Sequence, residues 1–373
     1  MKQLILLVTI SFSTISIAQK EWGLQDFFVY DAELEQKVDE YFDALSDTAR
    51  VGQMIIPAAG GHGKPTEHIN SLIKKNYVGG VLLLNGTKDG FTKMVDEFDQ
   101  LNKNSNGLPL LYSADAEPSL IGYKIKGCAP VKKANLMVSR EEVQKFALSI
   151  CNDLKEIGIN YNYAPVVDMS PNEAITYRAF GNNPDTAIAW SKVFIEETQK
   201  NRIVATAKHF PGHGMVVGDT HKKLVYIDGE MQEVDNYEPL IKAGVLSIMV
   251  AHIAIKNNEE YNTNDLPSSV SRKVVTGLLK QKMNFKQQLV IPFVVCNIFV
   301  VATIILASTT FANASSLFHS LEQQDDSFDP VFPDPKPSTA NTTVRWETQN
   351  LDHFGWRNDT YQQRWFVYDK FYK

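Results

Sequence analysis

The amino-acid sequence predicts an α/β fold in which helices cover both faces of a parallel sheet. Two observations carry that expectation. Between residue 20 and about residue 282, short and nearly continuous apolar runs alternate with longer segments of helical spacing. The apolar runs also end on polar residues: Asp115, Asp168, His209 and His252 each close one. A (β/α) barrel and an open doubly wound sheet both build their sites at such carboxyl ends. No Gly-x-Gly-x-x-Gly joins a strand to a helix, which disfavours a dinucleotide-binding sheet.

Taken in order, "DAELEQKVDEYFDALS" has helical spacing and "VGQMIIP" follows as a strand. "TEHINSLIKKN" leads to "GGVLLLNG", and "GFTKMVDEFDQLNKN" leads to "LPLLYSAD". The long helix "SREEVQKFALSICNDLKEIG" precedes "INYNYAPVVD". "PDTAIAWSKVFIEETQKN" precedes "IVATAKHF", and "YEPLIKAG" precedes "VLSIMVAHI". Six strands are thus expected before residue 282. Tyr161 and Tyr163 are expected to pack inside the sheet.

Composition narrows the function. An apolar content of 44% is ample for a packed core, and a net charge of −6 gives no footprint for nucleic acid. Three scattered cysteines make neither a disulfide framework nor a zinc cluster. Residues 1–18 have the order of a signal peptide: a basic start, an apolar stretch and a small-x-small site at Ser16-Ile17-Ala18. Export to the periplasm, cell envelope or medium is therefore expected. A second apolar run, "LVIPFVVCNIFVVATIILA" (289–307), is uncharged and long enough to cross a bilayer. It is expected to be a transmembrane helix or a second signal peptide, and membrane association would follow from it. After residue 307 the chain becomes acidic and Pro-rich and reads as a linker; "TYQQRWFVYDKFY" then begins one strand.

The most informative stretch is "KHFPGHGMVVGDTHKKL", residues 208–224. It sets His209, His213 and His221 on a glycine-rich loop, with Asp219 two places before the last histidine. An imidazole can give and take protons near neutral pH, and an aspartate within reach fixes its tautomer. His209 and His213 are four apart, but Pro211 and Gly212 spoil a helical metal-binding pair, so no metal is expected.

The full pattern, Lys-His-Phe-Pro-Gly-His-Gly, four residues, then Asp-Thr-His, resembles family 3 glycoside hydrolases of the β-N-acetylglucosaminidase type. "VGQM" (51–54), "SADAE" (113–117), "NYAPVVDMSPN" (162–172), "RAFG" (178–181) and "IMVAHI" (248–253) are similar to the same family, and the resemblance covers roughly residues 30–286. It implies a (β/α)8 TIM-type barrel, here incomplete with about six to seven strands; the hydrophobic segment and a mostly disordered tail are expected to follow it. The resemblance also implies a retaining hydrolase of terminal β-linked N-acetylhexosamine residues that needs no cofactor. His221 would be the general acid/base, oriented by Asp219. Lys208 and His209 would hold sugar hydroxyls, helped by Arg178 and Asp115. The substrate would be an N-acetylglucosamine-containing glycan or muropeptide. Beyond "DAE" the chain departs from the family: "PSLIGYKIKGCAPVKKAN" lacks the usual Gly-Gly and Arg.

The family's nucleophile is an aspartate ending the seventh strand, and retention requires it. "SSVSRKVVTGLLKQKMNF" matches the approach, but Gln287 replaces a glycine and the nucleophile's position falls on Pro292. No acidic residue follows until Glu322, so turnover is expected to be weak or absent. A non-catalytic sugar-binding or chimeric protein is the alternative. From about residue 283 onward, "QNLDHFGWRNDTYQQRWFVYDKFY" resembles the start of the lysosomal Pro-X carboxypeptidase family, without any of its catalytic residues. No Gly-x-Ser-x-Gly elbow occurs. The expected division is a signal peptide (1–18), a truncated barrel domain (20–288), a hydrophobic segment (289–307), and a linker with a serine-carboxypeptidase-like start (308–373).

Overall fold

The structure is a computed structural model. It describes residue 24, residues 28–169, 172, 175–218 and 224–286, and the backbone of segments 289–292, 300–301, 342–350 and 360–368. The signal peptide expected at 1–18 lies outside the described residues.

Chain order sets out the elements. Helix α1 (Ala32–Ala44) is capped by Asp31, whose Oδ1 accepts the N–H groups of Glu33 and Leu34, both at 3.1 Å. After α2 (Asp47–Gly52) come β1 (Ile55–Ile56), β2 (Ala58–Ala59), α3 (Thr66–Lys74) and β3 (Gly80–Leu83). Then follow β4 (Gly86–Thr87), α4 (Lys88–Asn104), β5 (Leu111–Ala114), α5 (Ile121–Lys124) and β6 (Ile125–Lys126). Helix α6 (Arg140–Ile157) starts on Ser139 and stops at Gly158, whose φ of 95° lets it adopt the left-handed turn. Strand β7 (Tyr161–Asn162) leads to α7 (Pro184–Lys200), capped by Asn183 with proline in its first turn. Next come β8 (Val204–Phe210), β9 (Val225–Asp228), α8 (Tyr237–Lys242), β10 (Ser247–Val250) and β11 (Ile253–Lys256). A π-helix spans Lys273–Lys282, and β12 (Leu289–Pro292) and β13 (Val300–Val301) follow it.

Seven strands form one sheet in the order β12-β10-β8-β7-β5-β3-β2, and every neighbouring pair is parallel. Five of the six strands expected from the sequence are present in their expected order; of the first, "VGQMIIP", Val51–Gly52 end α2, only Ile55–Ile56 is strand, and the sheet takes Ala58–Ala59 instead. Strand β1 precedes one edge strand and β13 follows the other, and the two pair antiparallel, Ile55 with Val301. The ends of the sheet therefore meet, and the sheet curls. Among the described residues no eighth parallel strand completes a ring. Inside the curl, Ile56, Tyr161, Tyr163, Val204, Leu246 and Met249 form one apolar cluster. Tyr161 and Tyr163 pack edge to face there, and the Tyr161 hydroxyl meets Ser247 Oγ at 2.6 Å. Outside it, one large core lies under α3, α4 and α6, and a second surrounds β8 and β10.

Further expectations are corrected. The apolar run 289–307 does not begin as a membrane helix, because Leu289–Pro292 is the seventh parallel strand, in register with Ser247–Val250. A strand buried on both faces needs the same uncharged composition as a membrane span, so composition alone does not separate them. No helix among the described residues is long and apolar enough to cross a membrane. The tail carries two strands rather than one: β14 (Thr342–Asn350) and β15 (Thr360–Tyr368) form an antiparallel hairpin, while the linker expected before them lies outside the described residues. "INYNYAPVVD" is also a strand only at Tyr161–Asn162, before the cis Ala164–Pro165 bond.

Candidate active site

Four of the six residues singled out from the sequence come together at the carboxyl ends of β5, β7 and β8. Asp115 follows β5 directly, and Lys208 and His209 lie within β8. Lys208 is 1% exposed, and its Nζ lies 2.7 Å from Asp115 Oδ1 and 2.5 Å from Glu117 Oε1. Arg178 grips Glu117 with both arms, Nε to Oε2 at 2.8 Å and Nη2 to Oε1 at 2.6 Å. On the other side of Asp115, Oδ2 meets Lys124 Nζ at 2.5 Å. The result is a chain of alternating charge, Lys124–Asp115–Lys208–Glu117–Arg178. Buried charges persist only when paired in this way.

The charges set their own ionisation. Burial would raise the Asp115 carboxyl, but the ammonium groups of Lys124 and Lys208 outweigh it and hold the group well below the carboxylate range. Burial would likewise raise Glu117, but Arg178 and Lys208 bring it down to about 2. Lys124 is lowered by burial, against the pull of Asp115 and Glu117. Asp115 keeps 22% of its side chain exposed, far more than Glu117 or Lys208, so it is the more accessible edge of the network.

Beside this chain sits a histidine–carboxylate pair. His209 Nδ1 lies 2.6 Å from Asp168 Oδ2. Asp168 also accepts the backbone N–H groups of His209 at 3.1 Å and His213 at 2.8 Å. Burial, reinforced by Arg178 and Lys208, holds the His209 imidazole well below its ordinary pKa, so the ring is neutral. Donation from Nδ1 to Asp168 then makes Nε2 the acceptor nitrogen, suited to a hydroxyl. Burial pushes the Asp168 carboxyl up, opposed by His213 and the backbone donors. Ligand atoms of Asp168, His209 and His213 lie within 4.8 Å of one another, spacing that could suit a metal. Three N–H groups already converge on Asp168.

The glycine-rich loop leaves β8 through two cis peptides, Lys208–His209 and Phe210–Pro211. Its first part is tied down from two sides. Glu233 accepts N–H groups from Met169, Gly214 and Met215 at 2.5, 2.8 and 3.1 Å. Asn172 Nδ2 donates to the carbonyls of His213, Val216 and Gly218 at 3.0–3.1 Å. Asp219 and His221, expected to be the acid/base dyad, lie outside the described residues. A cavity of about 470 Å³ opens beside the loop, lined by Met215, Val217, Tyr226, Asp228 and Glu233 among others. None of Asp115, Arg178, Lys208 or His209 lines it, so the cavity and the buried charge chain are separate features.

Sequence reasoning missed Lys124, Glu117, Asn172 and Glu233. Glu117 and Asn172 each close a stretch already matched to the family, "SADAE" and "NYAPVVDMSPN". Lys124 sits in the departing stretch and Glu233 in a loop without a motif, so neither carried a signal.

Comparison with known proteins identifies the family. The signature of the "Glycosyl hydrolase family 3 N terminal domain" matches residues 47–303. The β-hexosaminidase A of Pseudoalteromonas piscicida is 23% identical over 245 residues, covering 58% of this chain and 41% of that protein. The β-hexosaminidase of Xylella fastidiosa strain M23 is 28% identical over 194 residues, covering 48% and 56%. The chain thus spans about half the length of the curated relatives it matches. Among solved structures, a glycoside hydrolase family 3 β-N-acetylglucosaminidase from Paenibacillus sp. str. FPU-7 superposes with a TM-score of 0.61 at 26% identity, covering 67% of this chain and 49% of that one. By its sequence signature, its parallel sheet and these relatives, the chain belongs to glycoside hydrolase family 3, through that family's N-terminal domain.

Proposed function

We propose that the protein binds terminal β-linked N-acetylhexosamine residues of N-acetylglucosamine-containing glycans or muropeptides, in the manner of a retaining family 3 hydrolase. The observation that carries this reading is the buried chain Lys124–Asp115–Lys208–Glu117–Arg178 beside a neutral His209. Ionised carboxylates accept hydroxyl protons, ammonium and guanidinium groups donate, and neutral imidazole nitrogen accepts; a sugar needs all three. Asp115 offers the exposed edge of that network to the ligand.

In this reading His221 protonates the departing glycosidic oxygen, and Asp219 stabilises the imidazolium. The second half of a retaining reaction needs a carboxylate on the other face of the anomeric carbon. Its expected place is Pro292, whose backbone pairs with Val250 at the end of the seventh strand, and proline supplies no nucleophile. The reaction is therefore proposed to stall, leaving binding intact and turnover weak or absent. That same substitution favours the second reading, a non-catalytic sugar-binding protein.

Purified full-length chain is to be given a chromogenic N-acetylglucosaminide and, separately, titrated calorimetrically with N-acetylglucosamine. Binding with little turnover is expected. Ordinary hexosaminidase turnover would refute the stalled mechanism, and absence of binding would refute the sugar site. Export through residues 1–18 belongs to the same proposal and is tested by N-terminal sequencing of protein recovered outside the cytoplasm.

A further inference from the structure

Glu233 lies between β9 and α8, 2% exposed, in a segment that no motif marks. Its three N–H donors are not arbitrary. Met169 follows Asp168, and Gly214 and Met215 follow His213. Asp168 in turn gathers the backbone of His209 and His213 and the His209 ring. One carboxylate therefore fixes both flanks of the contacts that orient His209.

We infer that Glu233 is a positioning residue of the sugar pocket, acting through Asp168 to set the His209 ring, and that its ionised form does so. This rests on the proposed sugar-binding role of His209. An ionised carboxylate presents only acceptors to the three donors; a protonated one turns an oxygen into a donor facing an N–H. Asp168 and Tyr237 are the titratable groups that interact with it, and Tyr226, Asp228, Glu230 and Lys256 line the same cavity. Burial, then the charge of Asp168, pushes the Glu233 carboxyl up to about 7 against its backbone donors. His209 itself does not titrate in that window, because burial holds it far lower.

The test is calorimetric titration of the full chain with N-acetylglucosamine at about pH 6 and about pH 8, for the wild type and Glu233→Gln. Wild-type affinity is expected to rise several-fold from the lower to the higher pH. The variant is expected to bind about tenfold more weakly at the higher pH, roughly one charged hydrogen bond, and to show no pH step. A purely structural role would weaken binding without removing the step. Wild-type affinity and pH dependence in Glu233→Gln would overturn the inference while leaving the sugar site standing. A flat wild-type profile would overturn it without recourse to the variant. No wild-type binding at all would remove the proposed function and this inference together.

Discussion

Lys124 and Asp115 form a buried ion pair, Nζ to Oδ2 at 2.5 Å, while the second oxygen of Asp115 is held by Lys208 at 2.7 Å. A carboxylate bracketed by two ammonium groups cannot rotate freely. Its remaining lone pairs point in fixed directions, and under the proposed function a sugar hydroxyl would meet them there. Lys124→Met is therefore expected to weaken N-acetylglucosamine binding about tenfold and to lower stability by about 1–3 kcal/mol, with Lys208 still pairing Asp115. Calorimetry and urea unfolding read the two effects. Unchanged binding would place Lys124 outside the site.

The fork of Arg178 on Glu117 makes a separate prediction. Lysine keeps the charge but has a single donor nitrogen, which cannot reproduce the two parallel bonds that now run at 2.8 and 2.6 Å. Arg178→Lys should lose about 1.5–3 kcal/mol in urea unfolding at neutral pH. Equal stability would mean that the second arm contributes nothing.

Stability should depend on pH in two opposing ways. Glu117 is lowered from 4.5 to about 2, so its contribution is present above 4.5 and is lost as pH falls through 2. Glu233 is raised from 4.5 to about 7, so its contribution is present below 4.5 and is lost as pH rises through 7. Each shift corresponds to about 3 kcal/mol. Asp115 acts in the direction of Glu117, and Asp168 in the direction of Glu233. The urea midpoint is expected to be higher near pH 5 than near pH 8, and Glu233→Gln should flatten that decline. A midpoint that rises steadily to pH 8 would contradict the Glu233 assignment.

The parallel sheet was readable because its strands are short apolar runs that end in chemistry, as "LPLLYSAD" and "IVATAKHF" do. Asp115, Lys208, His209 and Arg178 were readable because each stands inside a recognisable motif. Lys124 and Glu233 were not, since their partners lie 9 and 18 to 64 residues away and only the folded chain joins them. Leu289–Pro292 shows the converse failure. A strand enclosed on both faces and a lipid-facing helix demand the same side chains, and only pairing with β10 tells them apart.

Gly214 provides a sharp test of how the loop is wound. A Cβ placed there would lie 1.6 Å from the Met169 carbonyl oxygen and 2.6 Å from Glu233 Oε1. Both obstacles belong to the anchor itself, a backbone oxygen and a carboxylate held by three donors, so neither can yield without releasing the loop. Gly214→Ala is expected to lose at least about 3 kcal/mol of stability, as strain or as a detached turn. Gly277, within the π-helix, has no heavy atom within 4 Å of its ideal Cβ. Gly277→Ala should therefore leave stability unchanged or raise it by about 0.4–1 kcal/mol, because alanine restricts the unfolded chain. Urea unfolding of the two variants side by side checks the contrast. Equal midpoints would mean that the turn has room that the Met169–Glu233 contact denies it.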